Sequence, residues 1–135
     1  MNAVFADTNA WSRFYRSDIP DGDPVVDALR HGIHSRGVVT TGVIYLELLR
    51  GFTLESTRRE IRHEFDAVPF LEPTSDDYAA APNLSVTCRR HGVQLETIDA
   101  LIAQVCITHD ATLLTADDDF TYAAQHIPLD VWNPA

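Results

Sequence analysis

Short apolar runs alternate with longer amphipathic stretches along most of the chain. Residues 3–6 (Ala-Val-Phe-Ala) carry no polar interruption, the pattern of a central strand covered on both faces. Asp7-Thr8-Asn9 follows at once and suits the start of a helix over 10–15. Residues 17–24, rich in Pro, Gly and Asp, read as a loop, and Pro24 fits the first turn of a helix ending near Gly32. Val38-Val39-Thr40-Thr41 predicts a second strand, β-branched throughout. A helix over 42–50 closes at Gly51, and another spans about 54–67.

Residues 68–71 predict a third, shorter strand. Thr74 with Asp77 three residues on resembles a capping box and opens a helix running toward His91-Gly92, with a break or kink expected at Pro82. Thr97 suits the cap of a helix over 98–108. Residues 112–115 predict a fourth strand, 119–125 a short helix and 129–132 a last strand. Strands alternating with helices imply a mostly parallel sheet of about five strands with helices on both faces, a three-layer α/β/α fold. A length of 135 residues implies one domain, 1–135, around one core.

Composition narrows the class. The hydrophobic share of 45% with 22% charged residues is that of a folded chain. No apolar run is long enough to span a membrane, and no secretory signal is expected, so a cytoplasmic protein with no membrane partner is the expectation. Cys88 and Cys106 match no metal-ligand spacing; Cys106 sits among Leu101, Ile102, Val105 and Ile107 and reads as a buried thiol. All ten basic residues are arginine. The missing lysine removes the Walker A loop, which needs one, and disfavours haloacid-dehalogenase-type phosphatases and receiver domains, which share an early Asp after a strand. A net charge of −10 argues against general nucleic-acid binding through a basic surface.

Four acids stand where a parallel α/β fold turns residues toward one edge: Asp7 after the first strand, Glu47 in the helix after the second, Asp99 in a first helical turn and Asp117 after the fourth strand. Carboxylates without accompanying His or Cys suit a hard cation such as Mg²⁺ or Mn²⁺. Each also has an ordinary structural reading. Asp7 could simply cap a helix, Asp99 gains from the helix dipole, Glu47 edges an apolar stripe, and Asp117 opens an Asp-Asp-Asp run suited to a solvated turn. Their shared location favours a site.

Asp7-Thr8-Asn9, Tyr45-Leu46-Glu47-Leu48-Leu49-Arg50-Gly51, Asp99-Ala100-Leu101-Ile102-Ala103 and Leu114-Thr115-Ala116-Asp117-Asp118-Asp119-Phe120 together resemble the PIN-domain ribonucleases, especially the toxins of VapBC-type toxin–antitoxin systems. The resemblance runs through nearly the whole chain in order. It implies a PIN-like fold and a metal-binding catalytic quartet of Asp7, Glu47, Asp99 and Asp117. Asp119 matches an additional family acid and possible ligand, and Thr8, Asn9 and Thr115 match site-lining positions. The proline often found before the Asp99 position is absent here.

The implied activity is Mg²⁺- or Mn²⁺-dependent cleavage of structured RNA such as tRNA or rRNA, blocked by a cognate antitoxin, in a homodimer. Arg13, Arg16, Arg50, Arg58, Arg59 and Arg62 are candidate RNA contacts, with Arg89-Arg90 a second basic cluster; Trp11, Phe14, Leu48, Leu49 and Phe52 are candidate antitoxin contacts. The rival readings are a PIN-fold nuclease of RNA processing or DNA, and a catalytically inactive PIN-like binding module. A phosphatase is disfavoured by the missing lysine.

Overall fold

The computed structural model describes residues 2–135. Four parallel strands form the sheet in the order β2-β1-β3-β4. They are β1 (Val4–Ala6), β2 (Val38–Val39), β3 (Thr112–Leu114) and β4 (Val131–Trp132). Between β1 and β2 lie α1 (Thr8–Tyr15) and α2 (Pro24–His34). The long crossover to β3 carries α3 (Gly42–Gly51), α4 (Glu55–Phe65), α5 (Ser75–Arg90) and α6 (Thr97–Thr108), and α7 (Asp118–Ala123) joins β3 to β4. Val4 pairs with Val38 on one side and with Thr112 on the other, so β1 is central. Phe5, Ala6, Leu113 and Leu114 are fully buried, as an uninterrupted apolar strand with helices over both faces should be.

The sheet is smaller than the five strands expected. Residues 68–71 make only an isolated parallel bridge, Thr40 to Phe70. The Pro69 carbonyl accepts from the Thr40 N–H at 3.0 Å and the Leu71 N–H donates back to the Thr40 carbonyl at 2.7 Å. Pro69 has no N–H to extend that ladder, and Pro73 stands just beyond.

Two further expectations change in detail. The helix at Pro82 is not broken: α5 runs unbroken from Ser75 to Arg90. Its start is fixed by the reciprocal Thr74–Asp77 capping box, and Asp77 also accepts from the Thr108 hydroxyl at 2.7 Å, pinning α5 to the end of α6. Helix α6 begins at Thr97 itself, with Glu96 at the cap position and no side-chain cap bond.

An aromatic cluster locks α1, α3 and α4 together. The Trp11 ring centroid lies 4.6 Å from that of Phe65, which stacks on Tyr45 at 4.9 Å. Trp11 is fully buried, and α3 carries Glu47, so this packing also orients one of the candidate acids. Trp11→Ala should cost about 3–5 kcal/mol in urea unfolding, the usual result of emptying a large core site. Cys88 and Cys106 are both buried and free, and burial pushes both thiols up, so neither is a nucleophile or part of a disulfide.

Candidate active site

Sheet topology places the site. From β1 the chain moves outward to β2, then crosses back to β3 on the other flank of β1. The C-terminal ends of β1 and β3 are therefore the switch point of an open parallel sheet, where a crevice forms. Asp7 leaves β1 there, its N–H donating to the Leu114 carbonyl at 2.9 Å, and Thr115 to Asp117 leave β3 beside it.

Asp7 is only 6% exposed and is the N-cap of α1. One carboxylate oxygen accepts from the Thr8 N–H at 2.8 Å; the other accepts from Asn9 Nδ2 at 2.9 Å and from the Thr115 hydroxyl at 3.1 Å. Asn9 clamps the two loops together. Its Nδ2 also donates to Thr115 Oγ1 at 3.2 Å, while its Oδ1 accepts from the Ala116 N–H at 2.9 Å. Thr115 in turn accepts from the Asp117 N–H at 2.9 Å, and Asp117 caps α7 by accepting from the Asp119 N–H at 2.9 Å. On the other side, the Thr8 hydroxyl donates to Glu47 Oε1 at 2.8 Å, tying α3 to α1.

The carboxylates feel one another. Burial is the main reason that Asp7 is pushed up to about 7, with Asp99 and Asp117 adding repulsion against the hydrogen bonds from the Thr8 N–H and the Thr115 hydroxyl, which pull the other way. Half-exposed Asp99 is pushed up to about 6, first by burial and then by Asp117, Glu47, Glu96 and Asp119. All four quartet members and Asp119 thus share one neighbourhood. Glu96 belongs there too and was missed; its position three residues before Asp99, at the same helix start, was the available signal.

A hard divalent cation fits the donor set, which is all oxygen with no His or Cys. Among the described residues no three His, Cys, Asp or Glu side chains stand at finished ligand spacing. The fit rests instead on charge: burial and mutual repulsion push Asp7 up to about 7 and Asp99 up to about 6, and a bound cation would relieve both.

The candidate RNA-contact arginines are less alike than their sequence suggests. Arg13 pairs with Asp23, Arg16 with Asp18 and Arg62 with Glu55. Arg58 donates to the Leu49 and Phe52 carbonyls, closing the end of α3. Arg50 and Arg59 are exposed and in no ion pair among the described residues. Of the apolar positions considered for antitoxin contact, Trp11 and Leu48 are core, while Phe14, Leu49 and Phe52 are partly buried against it. Leu46 in α3 and Leu54 at the start of α4 are exposed.

The PIN-domain family model matches residues 4–125. No curated protein matches significantly. Among solved structures, FitAcB from Neisseria gonorrhoeae superposes with a TM-score of 0.76 at 20% identity, covering 97% of each chain. VapBC2 from Rickettsia felis, solved with a DNA fragment from its promoter, gives 0.72 at 16% identity, over 97% of this chain and 98% of that one. VapC20 from Mycobacterium tuberculosis, described as a sarcin–ricin loop cleaving toxin, gives 0.66 at 18%, over 95% and 99%. At such identities these likenesses establish the fold. With the family model spanning nearly all the elements, the chain belongs to the PIN-domain family.

Proposed function

We propose that this chain, a single domain over 1–135, is a metal-dependent endoribonuclease toxin that hydrolyses structured RNA such as tRNA or rRNA in the cytoplasm. A cognate antitoxin would restrain it, and the active form would be a homodimer. The observation that carries the reading is the hydrogen-bonded cluster that gathers Asp7, Glu47 and Asp117 beside Asp99 at the switch point of the sheet. The fold neighbours support the toxin part, since they include VapBC2 and the sarcin–ricin loop cleaving toxin VapC20.

Asp7 and Asp99 would hold Mg²⁺ or Mn²⁺ most directly, with Glu47, Asp117 and Asp119 acting directly or through water. A divalent cation, when bound, supplies an acidified water and offsets charge on the scissile phosphate. The chain's own residues do the positioning. Thr8 fixes the Glu47 carboxylate, and Asn9 with Thr115 fixes that of Asp7. Of the six candidate RNA-contact arginines, Arg50, at the end of the helix that carries Glu47, and Arg59 would meet RNA phosphates most readily, because the other four are engaged in ion pairs or carbonyl contacts.

Water attacking in line at phosphorus breaks the bond to the 3′ oxygen, leaving a 5′-phosphate and a 3′-hydroxyl. Mapping the ends of cleaved tRNA and rRNA tests this. A 2′,3′-cyclic phosphate would mean that the ribose 2′-hydroxyl was the nucleophile and would overturn the mechanism.

A further inference from the structure

The chain carries 20 acids against 10 bases, but the acids are unevenly spread: residues 78–95 and 120–129 contain none. The fold brings these two acid-free runs together. The His91 ring, at the end of α5, stacks on that of His126, beyond α7, with centroids 4.1 Å apart and planes 13° apart. Arg89 and Arg90 stand exposed in the last turn of α5, and neither is in an ion pair among the described residues.

Local bonding fixes what this patch offers. A carbonyl oxygen only accepts, so His91 Nδ1, 3.0 Å from the Thr87 carbonyl, carries a proton. That bond ties the ring to α5 and turns its Nε2 edge away from the helix. The lone pair of an imidazole nitrogen lies in the ring plane, so two rings stacked nearly parallel do not converge on one metal ion. Carbonyls at a helix end oppose an anion. Here those of Thr87, Cys88 and Arg89 are taken, by His91 Nδ1 and by the His91, Gly92 and Val93 N–H groups. Two free guanidiniums beside an imidazole stack, on runs without a carboxylate, have the chemistry of a phosphate site.

Position names the phosphate. Helix α7 starts at the Asp117 cap and ends just before His126, and its six residues span about 9 Å. On the other arm the chain passes from His91 to Glu96 and into α6, whose first turn carries Asp99. Both arms of the patch therefore lead into the carboxylate cluster. That cluster repels a phosphate chain, so cations that hold the chain must stand to one side of it. A polynucleotide repeats its charge, so a strand with one phosphate at the acids has others to place against Arg89 and Arg90.

We propose that Arg89, Arg90 and the His91–His126 stack form a docking site for the phosphate backbone of RNA, beside the carboxylate pocket and separate from it. The two arginines pair with phosphates, and His126 braces His91 so that the end of α5 keeps its place against α7. The choice of RNA as the anion rests on the nuclease reading.

Anisotropy of fluorescein-labelled tRNA tests the proposal, with Asp99→Asn as the background protein in Mg²⁺ so that binding is read with little cutting. Arg89→Gln and Arg90→Gln should each weaken binding about 5-fold and flatten the dependence of log affinity on log salt by roughly 1. Arg36→Gln removes the same charge before β2, at the opposite end of the sheet, and should change neither. His126→Ala should weaken binding a few-fold with the salt slope unchanged, and His126→Phe, which keeps a flat ring, should restore it. With Asp99 intact, the two arginine variants should lose cleavage through KM rather than kcat. Binding that is absent, indifferent to Arg89 and Arg90, or equally sensitive to Arg36 would overturn the proposal. So would a patch that takes polyaspartate as tightly as tRNA. A protein that binds tRNA through these arginines yet cuts none would sink the nuclease reading and leave this site standing.

Discussion

Replacing Asp99 with Asn should lower metal-dependent RNA cleavage by at least ~100-fold while leaving the fold and its melting temperature close to those of the wild type. Asp99 sits in the first turn of α6 and is half-exposed, and the protein's hydrogen bonds do not depend on its charge. Its removal therefore subtracts a carboxylate from the site and little else. Burial and four neighbouring acids all oppose its ionisation, and a structural surface acid would gain nothing from such company. Initial-rate measurements on a defined RNA, with thermal melts of the same preparations, check both halves. Equal loss of activity and of folding would point to a structural role instead.

Asp7→Asn should abolish cleavage as well, yet make the metal-free protein more stable at pH 8. Asp7 is ionised near its ordinary value when unfolded but is pushed up to about 7 when folded. A group whose folded value is raised gives stability that is fully present below its unfolded value. That stability is lost as pH climbs through the folded value. The metal-free wild type should thus weaken between about pH 4 and pH 7, with Asp99 adding in the same direction, discounted for its exposure.

Asparagine cannot ionise, so the variant's curve should be flatter, with a gain at pH 8 of roughly 1–3 kcal/mol. The gain falls short of the full electrostatic relief because the new amide would face the Asn9 amide and oblige the Thr115 hydroxyl to turn. Added Mg²⁺ or Mn²⁺ should stabilise the wild type and leave the variant unmoved. Urea unfolding at pH 5 and pH 8, with EDTA and then with metal, measures each of these shifts.

Much of this site was legible because acids that follow apolar runs must emerge at one edge of a parallel sheet. Asp7 after β1 and Asp117 after β3 needed only the order of elements. Asp99 and Glu47 needed helix starts placed to within a turn. What stayed hidden depended on contacts remote in sequence. That Asn9 would hold Asp7, Thr115 and the Ala116 N–H at once requires β1 and β3 to be neighbours, which periodicity does not reveal. The pairing of Arg13 with Asp23 and of Arg62 with Glu55 likewise removed cations that looked free along the chain.

The strand at 68–71, reduced to a single bridge, and the helix that runs unbroken through Pro82 share a cause. Proline was read correctly as a missing donor, but its consequence depends on what surrounds it. At Pro69 the missing N–H ended a ladder that had no other support. At Pro82 a helix anchored by its capping box and by Thr108 absorbed the loss.

The most direct measurement is cleavage of total tRNA and rRNA by the purified protein in Mg²⁺, in Mn²⁺ and in EDTA. Defined fragments in either metal and none in EDTA are the expected result. Cleavage that persists in EDTA, or no cleavage in either metal, would contradict the assignment of the carboxylate cluster to metal-dependent RNA hydrolysis.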